Sequence, residues 1–203
     1  MDINPEDLQS KDRYKLLIGS VIPRPIAFVS TKSRNGVPNL APYSFYTIAC
    51  FNPMIIVFFP IRYKKGNEKK DTCTNILDTG EFVVNIATED FLEELNTTSG
   101  LYDADVDEFT KCGLTPVESK RVNAPGVLES PIRMECRLYK TLPIGDDEGG
   151  SDAIFGRVVH FYADDRLIDN YRLDEKKLKP VARLAGMSYS TLGKVIEIPR
   201  PKV

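Results

Sequence analysis

Five basic side chains, Arg62, Lys64, Lys65, Lys69 and Lys70, crowd the segment IRYKKGNEKK and run straight into Asp71-Thr72. Asp71 or Thr72 reads as the N-cap of a short helix, DTCTNILDT, that Gly80 ends. A helix N-terminus presents backbone N–H groups without intrahelical partners and the positive end of the dipole, so it suits a phosphate. The hydroxyls of Thr72 and Thr74 can add donors. The plainer alternative is a solvated charged loop with an ordinary aspartate cap, and composition alone favours it. Asp71 sharpens the choice, because its carboxylate repels a phosphate unless it turns away to cap the helix.

A second stretch, Ala41-Pro42-Tyr43-Ser44-Phe45-Tyr46, mixes aromatic and hydroxyl groups. It reads as a strand with one aromatic face in the core, or as the rim of a site for a flat apolar ring with one hydrogen-bonding edge. Arg24, held extended between Pro23 and Pro25, serves an anion or the surface, with nothing to choose between them. His160, the only histidine, lies between Val159 and Phe161. It is a candidate proton donor, but packing is the commoner role of such a residue, and no catalytic role is assigned to it. No Ser–His–Asp or paired-carboxylate arrangement can be argued. The run GDDEGG, residues 145–150, lacks EF-hand spacing. Cys50, Cys73, Cys112 and Cys136 are widely spaced without C-x-x-C, which favours reduced thiols over disulfides or a metal site.

The elements that position these residues are mostly strands. Asn35-Gly36 between two β-forming runs predicts a hairpin joining a strand over Pro25–Thr31 to one over Asn39–Ile48. Asn52-Pro53 then turns the chain into Met54–Phe59, an apolar run too short for a helix. Glu81–Ile86 and Ala153–Tyr162 read as further strands. Ile132–Thr141 alternates cleanly, with Ile132, Met134, Cys136 and Leu138 on one face. Helices are expected around Pro5–Leu8, after Asp71, after Thr88 with Phe91, Leu92 and Leu95 on one side, and over Asp107–Gly113. Leu173–Leu184 is helical in character but interrupted by Pro180. Ser99–Val106 and the loop around GDDEGG read as irregular, and VIEIPRP as an extended tail. Strands outnumber helices and no βαβ alternation occurs, so an antiparallel barrel with a few peripheral helices is the expected architecture.

The chain has 203 residues, 42% hydrophobic and 28% charged, with a net charge of −2. That is ordinary globular composition and one domain's worth of core. It lacks the basic surface that non-specific nucleic-acid binding requires. No apolar run approaches the ~20 residues of a membrane span, and the acidic, polar first residues do not resemble a secretory signal. A cytoplasmic protein with neither nucleic acid nor membrane as partner is expected.

The order PRPIAFVST, NLAPYSFY, NP, KDT and EFVVNI resembles the flavin reductase-like family of FMN-binding split β-barrel proteins, over about Tyr14 to Tyr189. The resemblance implies a mainly β, antiparallel split barrel of Greek-key type with peripheral short helices. It implies a single FMN-binding domain over residues 1–203, with a lead-in (1–20) and an extended tail (190–203). By the same resemblance, Arg62, Lys70, Asp71 and Thr72 hold the FMN phosphate, with the match at Lys70-Asp71-Thr72 literal. Val29, Ser30, Thr31, Ala41, Tyr43, Ser44 and Phe45 line the ring, and Arg183 and Tyr189 lie near the flavin or a dimer interface. At Tyr46-Thr47 related sequences often have Phe-Asn, so a contact made by that amide is not carried over. The implied activity is hydride transfer from NAD(P)H to bound flavin and on to flavin, ferric iron, oxygen or a partner protein. The alternatives are a flavoredoxin-like electron carrier that never meets a nicotinamide, and a domain that has lost its cofactor. A pyridoxamine phosphate oxidase-like enzyme shares the cofactor but fits these motifs less well. The family also implies a homodimer with the flavin near the subunit interface.

Overall fold

The structure, a computed structural model, describes residues 1–62, 68–145 and 149–201. Lys64 and Lys65 of the basic run, and Asp146, Asp147 and Glu148 of GDDEGG, lie outside the described residues.

Seven strands form one sheet in which every neighbouring pair is antiparallel. Strands β1 (Ala27–Lys32) and β2 (Pro38–Tyr43) make the expected hairpin, with Ala27 opposite Tyr43. Gly36 at its tip has φ +88°, a conformation that only glycine adopts without a Cβ penalty. Strands β3 (Tyr46–Phe51) and β4 (Met54–Phe58) form a second hairpin around Asn52-Pro53. Strands β5 (Glu81–Ile86), β6 (Ile132–Ile144) and β7 (Ser151–Ala163) complete the sheet. The lateral order is β2-β1-β5-β6-β7-β4-β3, so two hairpins adjacent in sequence end on opposite edges. Only Ser44-Phe45 joins those edges, and Phe59 N–H bonds the Phe45 carbonyl at 2.9 Å. The sheet therefore curls until its edges approach. This is why the expected single strand Asn39–Ile48 is broken at Ser44: there the chain leaves one edge for the other.

Among the described residues the α-helices are α1 (Ser10–Ser20), α2 (Asp71–Thr79), α3 (Leu92–Thr97), α4 (Glu108–Cys112) and α5 (Glu175–Leu178). Inside the curl pack Ala27, Val29, Phe58, Phe82, Met134 and Ile154, and α2 inserts Cys73 and Ile76 among them. Gly156 on β7 lets the Phe82 ring in, because a Cβ there would collide with it. On the outer face, Phe28 and Leu40 are covered by Phe91, Leu95 and Phe109.

Besides the break at Ser44, three elements differ from the sequence expectation. Helix α1 follows a single 3-10 turn at Pro5–Asp7 and buries only Ile18, so it carries no amphipathic pattern to read. Between Leu173 and Leu184 the helix is only α5. Asp174 caps it, and Lys179 ends it at φ +48° just before Pro180. The N-cap of α2 is Lys70, with Asp71 already the first helical residue.

Candidate functional site

That last difference shapes the site. Lys70 has an extended backbone and gives no side-chain cap, and the first bond into the helix is Thr74 N–H to the Lys70 carbonyl at 3.0 Å. The N–H groups of Asp71, Thr72 and Cys73 come before it, so α2 presents its donors and dipole at this end. Asp71 does not turn away as a cap. It lines a hollow of about 100 Å³ together with Asn39, Ala41, Tyr43, Lys70 and Thr72. Thr98, Ser99, Gly100 and Tyr102 form the facing wall.

Below this hollow runs a buried polar chain. Thr72 Oγ1 donates to Asn39 Oδ1 at 2.7 Å, and Asn39 Nδ2 donates to Glu108 Oε1 at 2.6 Å. The Leu40 N–H donates to Glu108 Oε2 at 3.0 Å. Thr31 Oγ1 reaches Asn39 Oδ1 at 3.3 Å and accepts from Asn75 Nδ2 at 3.0 Å. Burial lifts the Glu108 carboxyl above its usual range. The Leu40 N–H and the Asn39 amide pull it back, and Asp71 pushes it up further.

A second hollow, about 160 Å³, shares Pro42 and Ser99 with the first and adds Ile26, Ser44, Arg183 and Tyr189. The short strands Arg24–Pro25, Ala182–Arg183 and Tyr189–Ser190 pair to bring the C-terminal segment here. The Arg183 guanidinium lies 4.3 Å from the centre of the Tyr189 ring, and Tyr189 Oη donates to Asn96 Oδ1 at 3.0 Å. Arg24 serves neither an anion nor the surface. It is 6% exposed and clamps the Ile18, Val21 and Leu184 carbonyls at 2.7–2.9 Å, with Nε donating to Ser44 Oγ at 3.3 Å.

The structure thus gathers Ala41, Tyr43, Lys70, Asp71 and Thr72 around one hollow, and Ser44, Arg183 and Tyr189 around its neighbour. The other expected site residues lie off both walls. Val29 is in the barrel core. Ser30 faces outward, donating to the Pro125 carbonyl at 2.5 Å and accepting from Asn85 at 3.1 Å. Thr31 stands behind Asn39, and Phe45 packs under Arg24 at 5.8 Å. Arg62 grips Asp152 through two bonds of 3.0 Å, and Lys69 bonds the same carboxylate at 3.0 Å.

Sequence reasoning passed over two residues. Asn39 stands inside the NLAPYSFY run and can be found as a polar residue at the start of a strand. Glu108 comes 69 residues later, and nothing local marks it. A wider hollow, about 790 Å³, lies elsewhere, between Lys32, Glu81, Lys120, Arg121 and Arg137. Its charges are of both signs, and Glu81 is engaged by Asn123 N–H at 2.8 Å. His160 Nδ1 comes within 3.1 Å of Glu135 Oε1 but out of line for a hydrogen bond, while Glu135 accepts from the Lys120 and Arg121 N–H groups. All four cysteines are unpaired, and burial pushes the Cys73 thiol up to about 11 and Cys136 higher still. Both are therefore poor nucleophiles. Among the described residues no helix is long and apolar enough to cross a membrane, and no His, Cys, Asp and Glu group could hold a metal.

The family model for the flavin reductase like domain matches residues 18–179. The crystal structure of nitrilotriacetate monooxygenase component B from Bacillus cereus superposes with a TM-score of 0.94 at 41% identity, covering 98% of each chain. The 2-nitrobenzoate 2-nitroreductase NbaA of Pseudomonas fluorescens gives 0.88 at 28%, covering 99% of this chain and 96% of that one. A split-barrel domain protein of Shewanella frigidimarina gives 0.85 at 24%, covering 99% and 100%. At that identity the likeness speaks for the fold alone, and the fold is a split barrel.

Proposed function

Because this chain belongs to the flavin reductase-like family, whose members it matches as a flavin-linked oxidoreductase or electron carrier, we propose that it holds FMN across the two joined hollows and reduces it with NAD(P)H. The observation that carries this reading is the convergence at the start of α2. N–H groups without intrahelical partners and Lys70 stand beside Ala41 and Tyr43, one step from Ser44. A phosphate suits the helix end. The Ser44 hydroxyl accepts from Arg24 and keeps its own proton for the polar edge of a ring. Pro42 and Ile26 offer an apolar wall. When bound, FMN supplies the hydride acceptance and onward electron transfer; the chain binds, orients and shields it.

The neighbour at 41% identity is named as one component of a monooxygenase, which supports a partner protein or released flavin as the destination of the electrons. Four unpaired thiols support a reducing compartment such as the cytoplasm. The edge strand β3 supports a homodimer. Ile48 is 75% and Phe51 91% exposed on it, and an unpaired apolar edge is a surface that proteins normally cover. A second copy seated there would also close the Ser44 side of the site. Ile48→Asp with Phe51→Lys is expected to give a monomer by sedimentation that no longer retains FMN. A monomer that binds FMN as tightly as the parent would overturn this arrangement.

The central test is anaerobic mixing of the FMN-loaded protein with NADH and with NADPH. Bleaching of the visible flavin band is expected. A flavin that stays oxidised with both, yet is reduced by dithionite, leaves the electron carrier in place of the reductase.

A further inference from the structure

Glu108 is 6% exposed beneath the start of α2, and the proposed function gives it no task. An ionised carboxylate only accepts hydrogen bonds. With Leu40 N–H on one oxygen and Asn39 Nδ2 on the other, it fixes which way the Asn39 amide points. Asn39 Oδ1 must then face Thr72, whose hydroxyl proton is committed to it at 2.7 Å. Towards the hollow Thr72 therefore offers lone pairs, which repel a phosphate oxygen.

The charges around the hollow lead the same way. Helix α2 brings Lys70 and Asp71, β2 brings Tyr43, and the facing wall brings Tyr102. On α4 itself, Asp107 is turned to cap the Phe109 N–H at 2.9 Å and bonds Thr110 Oγ1 at 3.1 Å. A phosphate dianion here meets two carboxylates, Asp71 and Glu108, and like charges within ~4–6 Å favour protonation of one of them. Glu108 is the more buried, and burial already favours its neutral form.

Resting on the reading of this hollow as the phosphate end of an FMN site, we propose that Glu108 is a proton-linked positioning residue that selects the phosphorylated flavin. It takes one proton from solvent as the phosphate enters. Protonated at the oxygen facing Asn39, it becomes a donor there and still accepts from Leu40 N–H. The Asn39 amide turns over, giving Oδ1 to Glu108 and Nδ2 to Thr72 and Thr31. Thr72 Oγ1 then accepts from Asn39, and its own proton is released towards the phosphate. Thr31 can take the second amide proton because a hydroxyl has two acceptor lone pairs. The net change is one proton bound, one donor turned to face the ligand, and the Thr31 hydroxyl proton released from Asn39 Oδ1, where it donates at 3.3 Å before the turn.

The variant Glu108→Gln separates this from a purely structural role. A glutamine can accept from Leu40 N–H and donate to Asn39 Oδ1, so it holds the turned-over state at every pH. Wild-type affinity for FMN is expected to fall by up to about tenfold per pH unit as pH rises through the linkage window. Riboflavin, which lacks the phosphate, is expected to show no such fall. Glu108→Gln is expected to flatten the FMN profile and bind FMN several-fold tighter than wild type at the alkaline end, with riboflavin unchanged. A variant that weakens both ligands alike, or keeps the wild-type slope, overturns the proposal.

A second measurement needs no variant. Calorimetry of wild type at about pH 7.5, above the second phosphate ionisation of roughly 6, in buffers of different ionisation enthalpy should show proton uptake with FMN and none with riboflavin. Zero uptake with FMN bound overturns the role of Glu108 alone. Failure of FMN to bind at any pH overturns the site reading with it.

Discussion

Two carboxylates lie buried on either side of the lysine-rich loop, and their surroundings are opposite. Asp152 is 2% exposed and faces cations: Arg62 grips it through two 3.0 Å bonds and Lys69 through a third. Glu108 is 6% exposed, and among the described residues its carboxylate accepts from neutral donors, an amide and a backbone N–H. The bonds from Arg62, aided by Lys69, hold the Asp152 carboxyl below its usual range against its burial, whereas burial holds that of Glu108 above its own. Similar burial thus gives a fixed charge in one place and a titratable one in the other. The difference lies in who supplies the compensating charge. Asp152 is a fastener: its N–H bonds the Pro60 carbonyl and its side chain holds both ends of the loop. Glu108 lines the small hollow at the start of α2.

The comparison breaks most visibly at the fastener. Asp152→Ala removes the carboxylate that the Arg62 guanidinium, 8% exposed, grips through two bonds. Losing one partner of a buried pair costs about 3–5 kcal/mol, so urea unfolding should show a loss of that order. A cost below about 1 kcal/mol would mean that Arg62 is not held as the geometry indicates. At the α2 end, Lys70→Ala combined with Thr72→Ala should leave the fold intact but weaken FMN. Charge-assisted bonds are worth roughly 1.5–3 kcal/mol, which is about tenfold to a hundredfold in Kd. Riboflavin should change far less. Equal losses for both flavins, measured by fluorescence titration, would place the phosphate elsewhere.

The same contrast explains what could be read from the chain itself. Strands announced themselves through period-two alternation, as in Ile132 to Leu138, and through Asn35-Gly36, because those signals are local. Helix α1 did not, since it buries only Ile18 and has no apolar stripe. The basic run was visible, but its division of labour was not. Arg62 and Lys69 are drawn to Asp152, 90 and 83 residues away, and only the fold brings that carboxylate to them. Lys70 instead stands at the helix start, which also leaves Asp71 lining the hollow rather than capping. Asn39 lay within a motif, yet its partner Glu108 arrives from α4 and could be assigned only once β2 and α4 were seen in contact.

The smallest effect sharpens the comparison through pH. Asp152 has its folded value lowered, so its stabilisation is present above the unfolded value of about 3.9 and is lost as pH falls through the folded one. Glu108 has its folded value raised, so its contribution is present below the unfolded value of about 4.3 and is lost as pH rises through the folded one. Ligand-free stability should therefore fall on both sides, for different reasons. Asp152→Asn should flatten the acid limb, and Glu108→Gln the limb above about pH 5, each by on the order of 1 kcal/mol per pKa unit of displacement. Urea midpoints collected from about pH 3 to 8 read both slopes, independently of any change in absolute stability. If Glu108→Gln runs parallel to wild type throughout, Glu108 titrates alike in the folded and unfolded chain, and its burial displaces nothing.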